Sequence, residues 1–272
     1  MNLTRTKIGI IGLGFVGNAV RESYDSALSE VVTIDSDPRK GATGTYNDLT
    51  DAEAVFVCVP SPMGPDGKCD TSILEGVLKN LKSIKYNNVI ISKVTAIPTE
   101  YERLQEDFPN LVHVPEFLTA ANAIREYIGE TDAIIGGKIT AYQREAQRII
   151  TMGQTQLKNV AFCSIGEAAL SKYIINTYLA TKVVFMNEMY QLANACGYDW
   201  RKMRSLIDID ERVGISHTRV PGPDGSFGFG GMCFPKDVAA MLNFAGEKSI
   251  PLNVLDMAAK KNTMLRLTSS PK

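Results

Sequence analysis

A six-residue stretch near the N-terminus constrains the fold of this chain more than any other. Lys7 to Ile11 is a short β-prone apolar run, Gly12-Leu13-Gly14-Phe15-Val16-Gly17 follows, and the segment to about Ser29 has helical character. A second apolar run, Val31 to Ile34, ends at Asp35-Ser36-Asp37. A G-x-G-x-x-G string is weak by itself. Placed between a strand and a helix, with an acid at the tip of the next strand, it is the fingerprint of a dinucleotide-binding βαβ unit. Gly12 allows the tight turn, Gly14 lets a pyrophosphate approach the backbone, and Gly17 lets helix and strand pack. Phe15 and Val16 open the helix whose N-terminus would lie under the pyrophosphate. Asp35 suits a ribose with free hydroxyls, and no arginine follows it immediately, Arg39 being the nearest. The expected cofactor is NAD rather than NADP.

The alternation continues beyond this unit. Strands are expected at 54–59, 89–92, 111–114 and 133–135, and helices at 72–84, 99–108 and 141–152. Strands alternating with helices of this length predict an α/β fold, a Rossmann-type doubly wound parallel sheet. Ligands bind such sheets at the carboxyl ends of the strands, where Pro60-Ser61-Pro62, Lys93-Val94-Thr95 and Pro115-Glu116-Phe117-Leu118 fall. From about Gly166 the pattern changes. Gly166 to Cys196 contains neither proline nor interior glycine, so it reads as one long central helix stopped by Gly197. Shorter helices are expected at 200–207, 238–246 and 252–267. The expected organisation is a cofactor-binding domain over 1–165 and an α-helical domain over 166–272. The long helix suits a homodimer interface.

Composition narrows the function classes. The 29 basic and 30 acidic residues nearly cancel, which argues against a nucleic-acid partner and against a charged membrane-binding surface. The N-terminus runs into a strand without a secretion-type apolar stretch, and no apolar segment reaches membrane-spanning length. Five scattered cysteines without C-x-x-C spacing point to reduced thiols in a cytoplasmic protein. With His113 and His217 as the two histidines, no metal site and no histidine-based triad are expected.

The second glycine-rich segment, Gly228-Phe229-Gly230-Gly231-Met232-Cys233-Phe234-Pro235-Lys236-Asp237, holds the best candidate nucleophile. Pro235 precedes the helix expected from Val238, which puts Cys233 near a positive helix end with Lys236 close by, and both favour a thiolate. On this loop alone, a nucleophile and an inert buried cysteine are equally open readings. Lys172 and Asn176 are four apart on the long helix and share a face. They belong to a solvated face, or else to a packed helix in which they need partners.

Taken in order, these segments resemble the nucleotide-sugar dehydrogenase family, the UDP-glucose 6-dehydrogenase and GDP-mannose dehydrogenase group. The resemblance rests on Gly12–Gly17, Val57-Cys58-Val59-Pro60-Ser61-Pro62, Thr95 within 92–98, Pro115–Leu118, Leu170–Asn176, Asn187-Glu188, Asp210-Glu211-Arg212-Val213-Gly214 and Gly228–Asp237. It implies an NAD-dependent four-electron oxidation of a sugar CH2OH to a carboxylate through a Cys233 thiohemiacetal and thioester. By the same resemblance, Lys172 and Asn176 stabilise the oxyanion, Asp237 and Thr95 position or activate water, and Glu116 is the base for thioester hydrolysis. Pro60, Thr95 and Lys236 join the cofactor-binding set. Glu116, Phe117, Leu118, Lys172, Asn176, Phe229, Gly230 and Gly231 contact a nucleotide-sugar substrate, and Arg212 reaches it across a dimer interface.

The chain also departs from the family. Thr119-Ala120-Ala121 replaces the acidic and glycine residues usual after Pro115–Leu118, and the stretch Gly41 to Asp48 is short. The family's C-terminal nucleotide-binding domain is not present before Lys272. Three explanations stand: a natively short enzyme with a smaller substrate, a separate polypeptide supplying that domain, or a truncated remnant. Two rival functions go with them. One is an NAD-binding but catalytically silent relative or split-enzyme partner. The other is a two-electron hydroxyacid dehydrogenase, which has no use for Cys233.

Overall fold

The computed structural model describes residues 5–268; Ser269 to Lys272, at the expected chain end, lie outside the described residues. The chain separates into two compact units, Met1–Pro62 with Cys69–Lys172, and Met63–Lys68 with Tyr173–Lys272.

The first unit is built on a seven-stranded sheet with the order β2-β1-β3-β4-β5-β6-β7. Its strands are β1 (Thr6–Ile11), β2 (Ser29–Ile34), β3 (Ala54–Val57), β4 (Val89–Ser92), β5 (Leu111–His113), β6 (Asp132–Gly136) and β7 (Asn159–Cys163). Between them run α1 (Phe15–Ser23), α2 (Ser72–Ser83), α3 (Pro98–Asp107), α4 (Ala123–Gly129) and α5 (Thr140–Gly153). The chain order reverses beside β1, which places the glycine turn after β1 at the crevice where such sheets bind ligands.

Alternation along the strands fills both faces. Ile8, Ile10, Phe56 and Ile91 pack on one side with Val20, Tyr127, Ile149 and Ile150. Ile11, Val55, Val57 and Ile90 pack on the other with Leu74, Leu78, Leu81, Tyr101 and Leu104. Burial on both faces is why these strands read as continuous apolar runs.

The sheet is parallel-dominated, as the alternation predicts, with one difference. β1 to β5 are parallel, but β6 meets β5 antiparallel through the single pair His113↔Gly136. β6 and β7, joined by α5, form their own parallel pair over five residues and meet the edge of the main sheet in the opposite sense. Hydrophobic periodicity carries no information about strand direction. β7 and α4 were not expected from the sequence at all: β7 is an edge strand with no buried residue, and α4 is a seven-residue helix.

The second unit contains the rest of α6 (Ile165–Ala195), together with α7 (Trp200–Ile207), α8 (Phe234–Glu247) and α9 (Asn253–Thr268). The boundary lies inside α6 rather than at its start at 165/166, because Ile165 and Ala169 of its first turns pack into the core of the first unit. Val184, Phe229, Val238, Leu255 and Leu265 form one core of the second unit, and Met186, Ala193, Trp200 and Val220 a second. The short segment 63–68 joins this unit through Lys68 Nζ to Glu247 (2.5 Å) and Asn243 Nδ2 to the Asp66 carbonyl (3.2 Å). Among the described residues no helix is long and apolar enough to cross a membrane.

Candidate active site

The glycine turn of the first unit is fixed by close backbone approach and by bonds to the end of β2 and the turn after it. Gly12 has φ +95°, and its N–H donates to the Ile34 carbonyl (2.8 Å). A Cβ built on Gly17 would lie 1.8 Å from the Gly12 carbonyl oxygen, so only glycine lets α1 start so close to the turn. A Cβ on Gly14 would meet nothing within 4 Å, and Gly14 caps α1 without a side-chain hydrogen bond. Open space above Gly14 and uncapped N–H groups in the first turn, at Phe15 and Val16, suit an anionic group on the helix N-terminus.

Asp35 stands at the tip of β2, where its carboxylate accepts from the N–H groups of Leu13 (2.6 Å) and Asp37 (2.8 Å). Lys40 donates to the Leu13 carbonyl (2.9 Å). It is a cationic neighbour of the turn that sequence reasoning missed, since only its basic character on the turn after β2 marks it. Arg39 pairs instead with Asp37 (2.8 Å). The residues of this turn therefore fit a dinucleotide whose ribose hydroxyls face an acid.

A buried cluster lies at the carboxyl ends of β3, β4 and β5. Lys172 and Glu116 are 6% and 7% exposed and form an ion pair at 3.1 Å. Lys172 also donates to the Glu116 carbonyl and lies 5.1 Å above the Phe117 ring. The second Glu116 oxygen accepts from the Leu118 N–H (2.8 Å), which fixes the Phe117-Leu118 backbone. Removing one member of such a pair leaves an uncompensated buried charge, a cost of about 3–5 kcal/mol. Thr95 is half-buried and its carbonyl accepts from the Cys69 thiol (3.1 Å). Pro60 is exposed directly after β3. Lys93 is buried with no hydrogen-bond partner for its ammonium among the described residues; the ammonium lies 5.2 Å over the Tyr127 ring, and burial pushes its pKa down.

In the second unit the site is assembled around the N-terminus of α8. That helix starts at Phe234, four residues before the expected Val238, so Cys233 is the N-cap itself. Pro235 in the first turn has its φ preset for the helix, and Asp237 in the same turn complements the dipole. Asp237 is 1% exposed, and its two oxygens accept from Asn176 Nδ2 and Lys236 Nζ, both at 2.6 Å. Asn176 therefore has a buried carboxylate as partner, and the packed-helix reading of the Lys172/Asn176 face holds. The Lys236 ammonium is engaged by Asp237.

The cysteines sort by environment. Burial pushes Cys58 up to about 12 and raises Cys163, which keeps both as thiols. Cys196 and Cys233 are exposed, but Cys196 follows the C-terminal, negative end of α6, whereas Cys233 caps the positive end of α8. Of the five, Cys233 has the setting of a thiolate nucleophile.

The loop that presents Cys233 is held from behind by two asparagines. Asn262 on α9 accepts from the Phe229 N–H (2.7 Å) and donates to its carbonyl (3.1 Å). Asn187 on α6 accepts from the Gly228 N–H (3.1 Å). Phe229 is buried, and Gly228 and Gly231 adopt φ +72° and +77°. Gly230 lies against the Arg266 guanidinium, where a Cβ would come within 2.9 Å. Sequence reasoning missed Asn262 because one polar residue in a helix gives no long-range signal. Arg212 is highly exposed, and its guanidinium pairs with Asp210 (2.6 Å).

Comparisons with known proteins give a consistent picture. Residues 40–152 match the model of the "UDP-glucose/GDP-mannose dehydrogenase family, NAD binding domain", and residues 166–264 that of the same family's central domain. The chain is 31% identical to the UDP-glucose 6-dehydrogenase of Rickettsia bellii over 81% of its own length and 51% of the relative's. It is 30% identical to the Pseudomonas aeruginosa enzyme of that name, over 79% and 49%. It thus spans about half the length of these curated relatives.

Among solved structures, a UDP-glucose dehydrogenase from Pyrobaculum islandicum superposes with a TM-score of 0.80 at 22% identity, covering 97% of this chain and 69% of the other. A Mycobacterium tuberculosis 3-hydroxyisobutyrate dehydrogenase superposes with 0.75 at 15% identity, covering 94% and 92%. At these identities the structural likeness concerns the fold.

Proposed function

Because the chain belongs to the UDP-glucose/GDP-mannose dehydrogenase family, we propose that it oxidises the primary alcohol of a nucleotide sugar, UDP-glucose foremost, to the carboxylate. The overall balance is alcohol, two NAD+ and one water giving carboxylate, two NADH and three protons. NAD, when bound, supplies the hydride acceptor for both oxidations.

The Cys233 thiolate adds to the aldehyde carbon, a C–S bond forms, and the carbonyl electron pair moves onto oxygen. Lys172 stabilises that oxyanion, and Asn176, one helical turn further along α6, supports it. After the second oxidation the carbon is a thioester. Thr95 and Asp237 position water, Glu116 takes its proton, and attack on the thioester carbon breaks the C–S bond, returning the thiolate and releasing the acid. A covalent route lets an aldehyde be oxidised without first leaving as its hydrate.

The observation that carries this reading is the position of Cys233, exposed at the N-cap of α8, with Asp237 held by Asn176 and Lys236 one turn inside the helix. A two-electron hydroxyacid oxidation would leave that cysteine without a task. The exposed Ile174, Tyr178, Phe185 and Leu192 on α6, recurring at helical spacing, support a homodimer formed through this helix. Exposed Arg212 is then available to a neighbouring protomer.

The test is stoichiometric. With UDP-glucose and excess NAD, two NADH should form per carboxylate, and Cys233→Ser should form none of the acid. One NADH per product, or full turnover in the serine variant, would overturn the reading.

A further inference from the structure

Lys93 follows directly on β4, is 5% exposed, and holds its ammonium over the ring of Tyr127 on α4. Lys93 Nζ, the Tyr127 hydroxyl and Gln154 Oε1 at the end of α5 are all buried with no hydrogen-bond partner among the described residues. Glu130, three residues after Tyr127, links them. It accepts from Gln154 Nε2, and of the surrounding charges it acts most strongly on Lys93. Buried polar groups left without protein partners are commonly joined by ordered water.

This cluster connects the interior with the surface. Glu130 is half-buried and lines an open hollow of about 500 Å3 together with Leu118, Arg125 and Glu126. At the other end, Lys93 and Glu116 follow the carboxyl ends of the neighbouring strands β4 and β5. Glu116 is 7% exposed, and its carboxylate is engaged by Lys172 and the Leu118 N–H. A proton collected by so buried a carboxyl needs a route out.

The titratable groups facing Lys93 are Glu130, Cys58, Glu116 and Lys172, together with the Tyr127 phenol beneath it. Burial lowers the Lys93 pKa, and Glu130 draws it back up. Burial raises the Glu130 pKa, and Lys93 draws it back down. An amine and a carboxyl whose proton affinities are moved toward each other can exchange a proton near neutral pH. Cys58, pushed up to about 12 by burial, and Tyr127, pushed far above the usual phenol range by burial, keep their protons.

We propose that Lys93 and Glu130 form a proton exit, carrying the proton that Glu116 collects through the interior to the hollow beside α4. The Glu116 carboxyl gives its proton to the neutral Lys93 amine. The ammonium passes a proton through water to the Glu130 carboxylate, which releases it to solvent. Only bonds to hydrogen change, and each group returns to its starting state. The proposal rests on the nucleotide-sugar reading for the task of Glu116 and deepens it by naming where the proton goes.

Two experiments on the full chain test it. Nitrogen-15 NMR of lysine-labelled free protein should show Lys93, identified by the signal lost in Lys93→Arg, giving up its proton well below the ordinary lysine range. The titration should lie lower still in Glu130→Gln, which removes the negative charge beside it. Turnover of UDP-glucose against pH is the second measurement. Wild-type kcat should rise with pH through the Lys93 titration. Lys93→Met and Lys93→Arg should both lower kcat by about tenfold or more, with KM little changed and that step in the profile gone. Arginine keeps the charge but yields no proton at neutral pH. Lys93→Met should fold at least as stably as the wild type, since it removes an unpaired buried amine. Glu130→Gln should slow turnover several-fold, and imidazole buffer entering the hollow should restore it.

Wild-type kcat in Lys93→Arg overturns the relay, because a fixed charge would then suffice. So does a Lys93 that stays protonated throughout the pH range of activity, or a Glu130→Gln enzyme indifferent to imidazole. The expected Lys93 titration in a protein that forms no carboxylate from UDP-glucose would leave the proton-sharing pair standing and defeat the oxidation reading. Two NADH per acid with a pH profile unmoved in both Lys93 variants would do the reverse.

Discussion

The Gly12–Gly17 turn is braced from within its own βαβ unit, by close backbone approach and by Asp35 and Lys40 on Leu13, whereas the Gly228–Gly231 turn is braced by side chains from helices elsewhere in the chain. In the first, Gly17 approaches Gly12 so closely that no Cβ fits, and the space above Gly14 is open. In the second, Asn187 on α6 and Asn262 on α9 hold the Gly228 and Phe229 backbone, and Arg266 lies behind Gly230. Both turns lead into a helix N-terminus whose N-cap residue makes no side-chain capping hydrogen bond, but that residue is a glycine in the first helix and a cysteine in the second. A turn that only cradles an anion can be a local device. A turn that must aim a nucleophile needs bracing from elsewhere in the fold.

Four substitutions would break or sharpen this contrast. The largest effect is expected from Cys233→Ser, which should lower NADH formation by about a thousandfold or more while leaving the unfolding midpoint unchanged, because the side chain is exposed. Steady-state rates and a thermal melt on the same sample check both parts. Next comes Gly17→Ala, whose Cβ would have to displace a backbone carbonyl. A loss of about 3 kcal/mol is expected in urea unfolding, and a wild-type midpoint would show that the first turn is less rigid than described.

Asn262→Ala should follow, at about 1–3 kcal/mol for two backbone groups left unsatisfied. Its diagnostic feature is selectivity: turnover falls while NAD affinity, measured by calorimetry, stays at the wild-type value. An equal loss of NAD affinity would erase the distinction between the turns. Gly14→Ala is the mildest for the fold, with stability within about 0.5 kcal/mol because the new methyl meets nothing. NAD binding should nonetheless weaken by about tenfold, as the methyl occupies the space a pyrophosphate needs.

The same contrast explains what could be read from the sequence. Gly12, Gly14, Gly17 and Asp35 were legible because their reasons lie within one βαβ unit, and the apolar runs of β1 to β5 were legible because both sheet faces are buried. Lys172 and Asn176 were recognisable as a pair, but their partners Glu116 and Asp237 lie 56 and 61 residues away, and no spacing rule links them. The edge strand β7 carries a short apolar run, Val160-Ala161-Phe162-Cys163, but none of its residues is buried, and four such residues between polar flanks are too few to set a strand apart from a loop. The early start of α8 escaped notice because glycines and Pro235 read as loop until Cys233 is seen to cap the helix. Lys93 showed only as part of the strand-end segment Lys93-Val94-Thr95, since burial and the lack of a bonded partner among the described residues are properties of the folded unit.

The central claim is that Cys233 becomes acylated during the reaction, and intact-protein mass spectrometry tests it most directly. Glu116→Gln, which keeps the shape of the base but removes its charge, would be mixed with UDP-glucose and NAD and quenched in acid. The account predicts a uronyl adduct that accumulates on the peptide containing Cys233 and disappears in the Cys233→Ser, Glu116→Gln double variant. Carboxylate formation by a wild-type enzyme whose Cys233 never carries an adduct, in either background, would contradict it.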